Sequence, residues 1–397
     1  MQGDSEARVR REVFEALKNT RFAVSELSPV SGGHANFTMR GELKVLIEDT
    51  RYVLIKHAEP YMRIQPSFKL DLVRFIEKKI EVEALKIVEH MPCDPRLATE
   101  SNMPVVSSPR VLYSNPVSNT MVQSYFPSGI DLRSYGFSHL SQPGLGKIER
   151  EKVMEFGRAL GHWLVNLHSW TNSPTNTAAK ALAASNVCGP ALKQELNYGG
   201  LLAMKEKSPA ALELLSDETI NGVVNQTRRE LDSNTHVVHG DFWTGNIVVP
   251  DIPISQITQL TGFVVDWELF SLGHLAVDVG QMIAEMCQLY LFRNILGGLD
   301  LAVAFIDAYM SDTGLQSQVN KTRPWATLEE RDDFAFRALL HVGAHLICVS
   351  PMPGVWGSGE ELARVATIGA QLIEAAWAKD RAFFEENEAF GGFFKRP

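Results

Sequence analysis

Cysteine is scarce in this chain: four residues in 397, Cys93, Cys188, Cys287 and Cys348, with no CxxC pair and no metal-site spacing. That excludes a disulfide framework and a zinc module, and reads as buried thiols in a reducing compartment. No apolar run approaches the ~20 residues that cross a bilayer. The most apolar stretch, 279–292, is interrupted by Gln281 and Glu285. The opening residues MQGDSEARVRRE are charged and lack the apolar core of a secretory signal. A cytoplasmic chain without a membrane partner is expected. There is also no basic excess. Thirty-eight Lys and Arg stand against 47 Asp and Glu, a net charge of −9 that argues against a nucleic-acid partner. No internal repeat is visible.

What is present is an ordinary globular composition, 45% hydrophobic and 21% charged. The length exceeds one typical domain, so two lobes are expected. Residues 5–18 carry Val9, Val13, Phe14 and Leu17 at helical spacing after Asp4-Ser5. Short β-rich runs follow at 22–27 and 51–57, then a long helical repeat from Asp71, then VLYSN and TMVQSYF as further strands. This order predicts a small antiparallel sheet carrying one helix, ending near residue 126. From 127 to 397 the pattern is helical, with KIEREKVMEFGRALGHWLVNLHSW as a strong amphipathic helix. Residues 171–200 are small and polar and read as a loop or an excursion. NIVV and GFVVD flank a Pro-containing turn and read as a hairpin. The fold class expected is α/β in the broad sense (α+β), in two lobes. Charge divides unevenly between them: residues 1–126 are near +1, so 127–397 hold the whole excess, −10.

The sharpest motif is HGDFWTGN, His239 to Asn246. A His-Gly-Asp-x4-Asn match arises by chance in about one chain of this length in a thousand. Taken alone it could be a polar turn capped by Asp241. A second acidic motif follows, however: the apolar strand Val264-Val265 ends in Asp266-Trp267-Glu268, with Asp278 twelve residues beyond Asp266. Phosphoryl transfer needs this combination. One Asp orients, and can deprotonate, the attacking hydroxyl, while a second carboxylate and an Asn hold Mg²⁺ on the phosphates. Asp241 suits the first role; Asn246, Asp266 and Glu268 suit the second.

HGD-x4-N followed by D-x-E resembles the aminoglycoside phosphotransferase and choline kinase superfamily, whose fold is that of a two-lobed protein kinase. VLIKHAEPYMR, the E-x-x-A-L of Glu81–Leu85 and VVDWELF through AVDVGQ extend the resemblance over most of the chain. Within the superfamily it is similar to methylthioribose kinases and hydroxytryptamine kinases. The resemblance implies ATP and Mg²⁺ as cofactors, a small-molecule acceptor, and no protein substrate. It implies that Lys56 binds the α/β-phosphates with Glu81 as its partner. Ser31, Gly32, Gly33 and Asn36 would lie over the phosphates, and Gln123, Ser124 and Phe126 would form the adenine hinge. His239 and Asp278 would organise the catalytic loop.

Departures narrow the reading. No DFG or APE follows Asp266, and only eleven residues separate it from Asp278, too few for a peptide-docking activation segment. The arginine pair by which methylthioribose kinases hold substrate falls at Ala338-Leu339, beside Arg337, and is missing. An amine-bearing acceptor is the expectation, with a methylthioribose-type kinase or an inactive kinase-fold binding protein as alternatives. Trp243 could stack on the acceptor or fill the core. His341 and His345, four apart on a helix, could line the acceptor pocket or be satisfied core histidines, and no HExxH supports a metal pair.

Overall fold

The computed structural model describes residues 2–30, 36–63, 65–69, 80–93, 102–141, 145–233, 235–311, 325, 327–352 and 356–395. Helix α1 (Gln2–Leu17) buries Val9, Val13 and Leu17 completely. Their four-residue spacing puts them on one face. That face closes over an antiparallel sheet of β1 (Val24–Pro29), β2 (Phe37–Ile47) and β3 (Thr50–His57), completed by two later strands. Along β2, Phe37, Met39 and Leu43 point inward while their neighbours do not, the period-two signature of a half-buried strand.

Helix α2 (Ile80–Val88) is the described part of the helix expected from Asp71; residues 70–79 lie outside the described residues. Strand β4 (Val105–Ser107) departs from this sheet, whereas β5 (Val111–Asn115) and β6 (Thr120–Ser124) complete it in the order β1-β2-β3-β6-β5. Phe22, Val53, Ile55 and Val122 belong to this first core. Ile80, Ala84, Leu85 and Val88 of α2 belong instead to the second, larger one. The helix carrying Glu81 is thus packed as part of the helical lobe's core.

A second sheet, β4-β10-β9-β7, lies at the junction. It comprises β7 (Gly129–Asp131), β9 (Ile247–Pro250) and β10 (Thr261–Val264). The hairpin expected at NIVV and GFVVD is the β9–β10 pair, Ile247 opposite Val264. Strand β4 adds in parallel, Val105 opposite Thr261, so residues before 126 contribute to a sheet built mainly from later ones.

The rest is helical. Helix α3 (Lys147–Thr171) crosses α8 (Leu296–Met310) at backbone contact. A Cβ at Gly157 would stand 2.6 Å from the Leu301 carbonyl oxygen, and one at Gly161 2.5 Å from that of Phe305. The expected loop at 171–200 is instead α4 (Thr177–Ser185), α5 (Cys188–Gln194) and a turn of π-helix at Glu195–Gly199. The small residues that suggested a loop are the reason: alanines favour the helix, and Ala179 and Ala183 are buried. Asn176 caps α4 by accepting from the Ala179 amide. Helix α6 (Asp217–Ser233) leads to β8 (His236–Val238), which pairs with β11 (Ser271–Gly273). Helix α7 (Ala276–Arg293) then precedes α8, and α9 (Leu328–Cys348) and α10 (Gly359–Trp377) close the lobe. Of the four thiols expected to be buried, Cys287 is; Cys188 and Cys348 are partly exposed and Cys93 is exposed. Among the described residues no helix is long and apolar enough to cross a membrane.

Candidate active site

The HGD loop runs between β8 and β9, and its geometry is set by a buried carboxylate. Asp278, in the first turn of α7 and fully buried, accepts the His239 amide at 2.7 Å and the Gly240 amide at 2.9 Å. His168 Nε2 lies 3.1 Å from the same group, and His168 Nδ1 lies 2.8 Å from the Tyr309 hydroxyl. A buried carboxylate is costly unless hydrogen-bonded, and here it meets two amides and an imidazole at a helix N-terminus. Gly240 has φ +83°, and a Cβ there would lie 2.1 Å from the Leu269 carbonyl oxygen, so only glycine fits. His239 is fully buried, and burial pushes its pKa down, keeping it neutral. Its Nδ1 accepts the Asp241 amide at 3.2 Å. His239 and Asp278 thus hold the loop's backbone.

Asp241 is surrounded by donors. Lys193 Nζ lies 2.7 Å and Gln281 Nε2 2.8 Å from Oδ1. Asn246 Nδ2 at 3.0 Å and Trp243 Nε1 at 3.1 Å reach Oδ2. Burial alone would raise this carboxyl's pKa; Lys193 and Gln281 outweigh it and hold it below the usual aspartate value. Neither Lys193 nor Gln281 was expected here. Lys193 lies in α5, inside the stretch read as a loop or excursion, and Gln281 was noticed for interrupting an apolar run and as the end of AVDVGQ, with no role given to it. The one available signal was polarity within apolar helical surroundings at Gln281; nothing local marks Lys193.

The β9–β10 hairpin carries the second half of the site. Val265 donates to the Asn246 carbonyl at 2.9 Å, which sets Asn246 beside the strand end that bears Asp266. Asp266 sits in the left-handed region, φ 67° and ψ 64°, a conformation that costs a non-glycine residue about 1–2 kcal/mol. Lys56 of β3 donates to Asp266 Oδ1 at 2.6 Å and to Glu81 Oε1 of α2 at 2.5 Å. Asn36 donates to Glu268 Oε2 at 2.9 Å. Oxygens of Glu81, Asp266 and Glu268 all lie within 4.8 Å of one another.

Three carboxylates share one lysine, and the imbalance is visible. Burial, then repulsion from Asp266, pushes Glu268 up to about 8 despite Lys56. Glu81 is raised by burial too, against the pull of Lys56. For Lys56 burial works downward, yet Asp266, Glu81 and Glu268 together raise its pKa. An all-oxygen cluster short of positive charge has the donor chemistry for a hard divalent cation such as Mg²⁺. Asn246, whose amide nitrogen is turned to Asp241, keeps its amide oxygen for the same purpose.

Other expected positions fall differently. Ser31, Gly32 and Gly33 lie outside the described residues. Gln123 and Ser124, expected to offer backbone groups to adenine, are ladder residues of β6: Gln123 stands between Leu54 and Val111, and the Ser124 amide donates to the Arg110 carbonyl at 2.9 Å. The Ser124 amide is thus already engaged by the residue that precedes β5. Phe126 meets Phe263 edge-on at 4.9 Å, and its carbonyl closes a turn with Gly129. Trp243, read as acceptor stack or core filler, is half-buried and donates to Asp241, with the Arg133 guanidinium 5.0 Å over its ring.

His341 and His345 are placed in the helical core, almost fully buried. His341 Nδ1 is bonded to the Tyr198 hydroxyl, and His345 Nε2 lies 2.9 Å from Glu285, which also accepts from Thr244 at 3.0 Å. As acceptor-pocket walls they are thus displaced from any open surface, because α9 turns this face toward its helical neighbours. Arg337, beside the missing arginine pair, is committed to Glu230 and Tyr198.

Residues 139–312 match the model of the phosphotransferase enzyme family. Phosphotransferase FrzJ of Cladobotryum sp is 23% identical over 97% of this chain and 96% of its own. The 4-hydroxytryptamine kinase of Psilocybe cyanescens is 24% identical over 87% and 86% respectively. Among solved structures, an ethanolamine kinase of Plasmodium vivax superposes with a TM-score of 0.46 at 11% identity, covering 88% of this chain and 84% of that one.

Proposed function

Because residues 139–312 carry a phosphotransferase enzyme family domain, we propose that the chain is a small-molecule kinase that moves the γ-phosphate of ATP onto an alcohol or phenol. The observation that carries this reading is the bridge between the two halves of the site. Lys56 of the sheet is bonded to Asp266, while Asn246, across the same hairpin, is bonded to Asp241. The group read as holding phosphate and the group read as the base are thereby tied to the same end of one hairpin.

In this reading Lys56, kept charged by its carboxylates, binds the α/β-phosphates, and Glu81 holds the lysine in place. Asp266, Glu268 and the Asn246 oxygen would hold Mg²⁺, which when bound would supply positive charge to the phosphates. Asp241 aligns the acceptor hydroxyl and takes its proton. The acceptor oxygen bonds to the γ-phosphorus as the bond from phosphorus to the β–γ bridging oxygen breaks, and ADP leaves. Residues 1–126 form the nucleotide-binding lobe and 127–397 the catalytic and acceptor-binding lobe.

The acceptor proposed is an amine-bearing hydroxyl compound. Support comes from the relatives named 4-hydroxytryptamine kinase and from the −10 charge of residues 127–397, which favours capture of cations. The test is an acceptor screen with MgATP read by phosphorus NMR, pairing each amine alcohol with its neutral isostere. Amines should lead in kcat/KM, and less so as salt rises and screens the field over its ~10 Å reach at 0.1 M. Equal rates with neutral isosteres would overturn the amine; no phosphorylated product from any alcohol would overturn the kinase.

A further inference from the structure

A carboxylate offers about four lone-pair positions. Asp241 has all four filled, by Lys193 and Gln281 on Oδ1 and by Asn246 and Trp243 on Oδ2. An acceptor hydroxyl can therefore reach this carboxylate only by displacing a resident donor. The four are not equally displaceable. Trp243 and Asn246 belong to the loop of Asp241 itself, and Asn246 is tied a second time, to the Asp241 carbonyl at 3.0 Å. Gln281 is 3% exposed within α7. Lys193 alone arrives from outside the loop and the helix behind it, on a flexible four-carbon stem with three rotatable donors. Its ammonium has a second anchor, Gln281 Oε1 at 2.8 Å, which does not depend on Asp241.

We propose that Lys193 is a positioning residue for phosphoryl transfer: it orients Asp241 in the resting protein, yields Oδ1 to the acceptor hydroxyl, and remains on Gln281 as a fixed positive charge beside the reacting oxygens. The inference rests on the reading of Asp241 as the base. The segment that supplies Lys193, α5, lies 48 residues before Asp241 in the chain and shares no motif with it. Oriented charge of this kind acts where negative charge gathers, on the transferred group and the attacking oxygen.

The test uses the full chain with MgATP and water as acceptor, so that phosphate release reports on the site whatever the alcohol substrate is. K193M should lower kcat about 10–100-fold, the scale expected when a reacting group is mispositioned. KM for ATP should stay within about 2-fold, because the phosphate-side groups Lys56 and Asp266 are untouched. K193R should recover part of the loss, and millimolar methylamine should raise kcat of K193A but not that of the parent protein. A structural role alone would show neither recovery. Wild-type kcat in K193M, a change carried by KM instead, or K193A indifferent to methylamine would each overturn the proposal. Should K193M fail to fold, K193R and amine rescue of K193A decide it alone. D241N separates the two levels: if it hydrolyses MgATP like the parent, the reading of Asp241 has failed; if it is inactive while K193M is normal, only the role of Lys193 has.

Discussion

Asp241 and the cluster of Glu81, Asp266 and Glu268 live under opposite conditions. Asp241 has more positive and donor character around it than it needs: one ammonium and three N–H groups on two oxygens. Glu81, Asp266 and Glu268 have less, with a single lysine among three acids. The outcome is a depressed pKa on one side and Glu268 raised to about 8 on the other. Residue type cannot separate these roles, since all four are acids. Charge balance can. A satisfied carboxylate is poised to stay ionised and orient a proton donor; an unsatisfied cluster is poised to take a cation. Paired acids with diverging pKa values are a recurring sign of divided chemical labour.

The comparison is broken most severely at Asp266. D266A should abolish phosphotransfer, with a residual rate at least about 10³-fold down, because one change removes a metal ligand and a Lys56 partner together. The check is phosphate transfer across a magnesium titration; activity with an unchanged magnesium dependence would put the metal elsewhere. Next is D241N, expected to lower kcat about 10²–10⁴-fold while MgADP still binds, as for loss of a general base. Calorimetry beside steady-state rates checks both halves.

Smaller, but aimed at the contrast itself, is metal binding without turnover. Mg²⁺ with ADP should raise the melting temperature of the parent protein, by about 2.7 kcal/mol of stabilisation at one hundred times Kd. D266A should lose most of that shift, and D241N should keep it.

The smallest effect concerns E268Q in the metal-free protein. Glu268 ordinarily titrates at 4.5 and is raised to about 8 in the fold, so the folded state binds more protons between those values. Stability from this group is therefore present below about 4.5 and lost as pH rises through about 8. E268Q should melt like the parent near pH 4.5 and slightly higher, by about 1–2 °C, at pH 8. A melting temperature lower than the parent's at pH 8 would mean that the cluster is balanced after all. D241N should do the reverse, lowering the melting temperature at pH 8 by stripping the Lys193 ammonium of a partner.

Much of the site is legible because its parts are local. His239 to Asn246 is one loop, Asp266 and Glu268 end one strand, and the hairpin that joins them announces itself by two apolar runs and a turn. The same locality made the strands at 51–57, 111–115 and 120–124 readable, since alternation and β-branched residues act over a few positions. Whether Ser124 offers its amide outward depends on the carbonyl of Arg110, just before β5, which no local pattern encodes.

By itself the sequence marked most of the elements and the candidate reacting groups: an HGD turn that only Gly240 permits, an Asp-x-Glu strand end, and a lysine on a strand. These are short-range matters of backbone sterics and periodicity. Tertiary structure alone decided which charges meet. It brought Lys193 to Asp241 from a short helix in a stretch read as irregular, paired Lys56 with Asp266 across 210 positions, and turned His341 and His345 into the core. The reason is that electrostatic partnership falls off over a few ångströms of space and is indifferent to distance along the chain. Only the folded backbone converts one into the other.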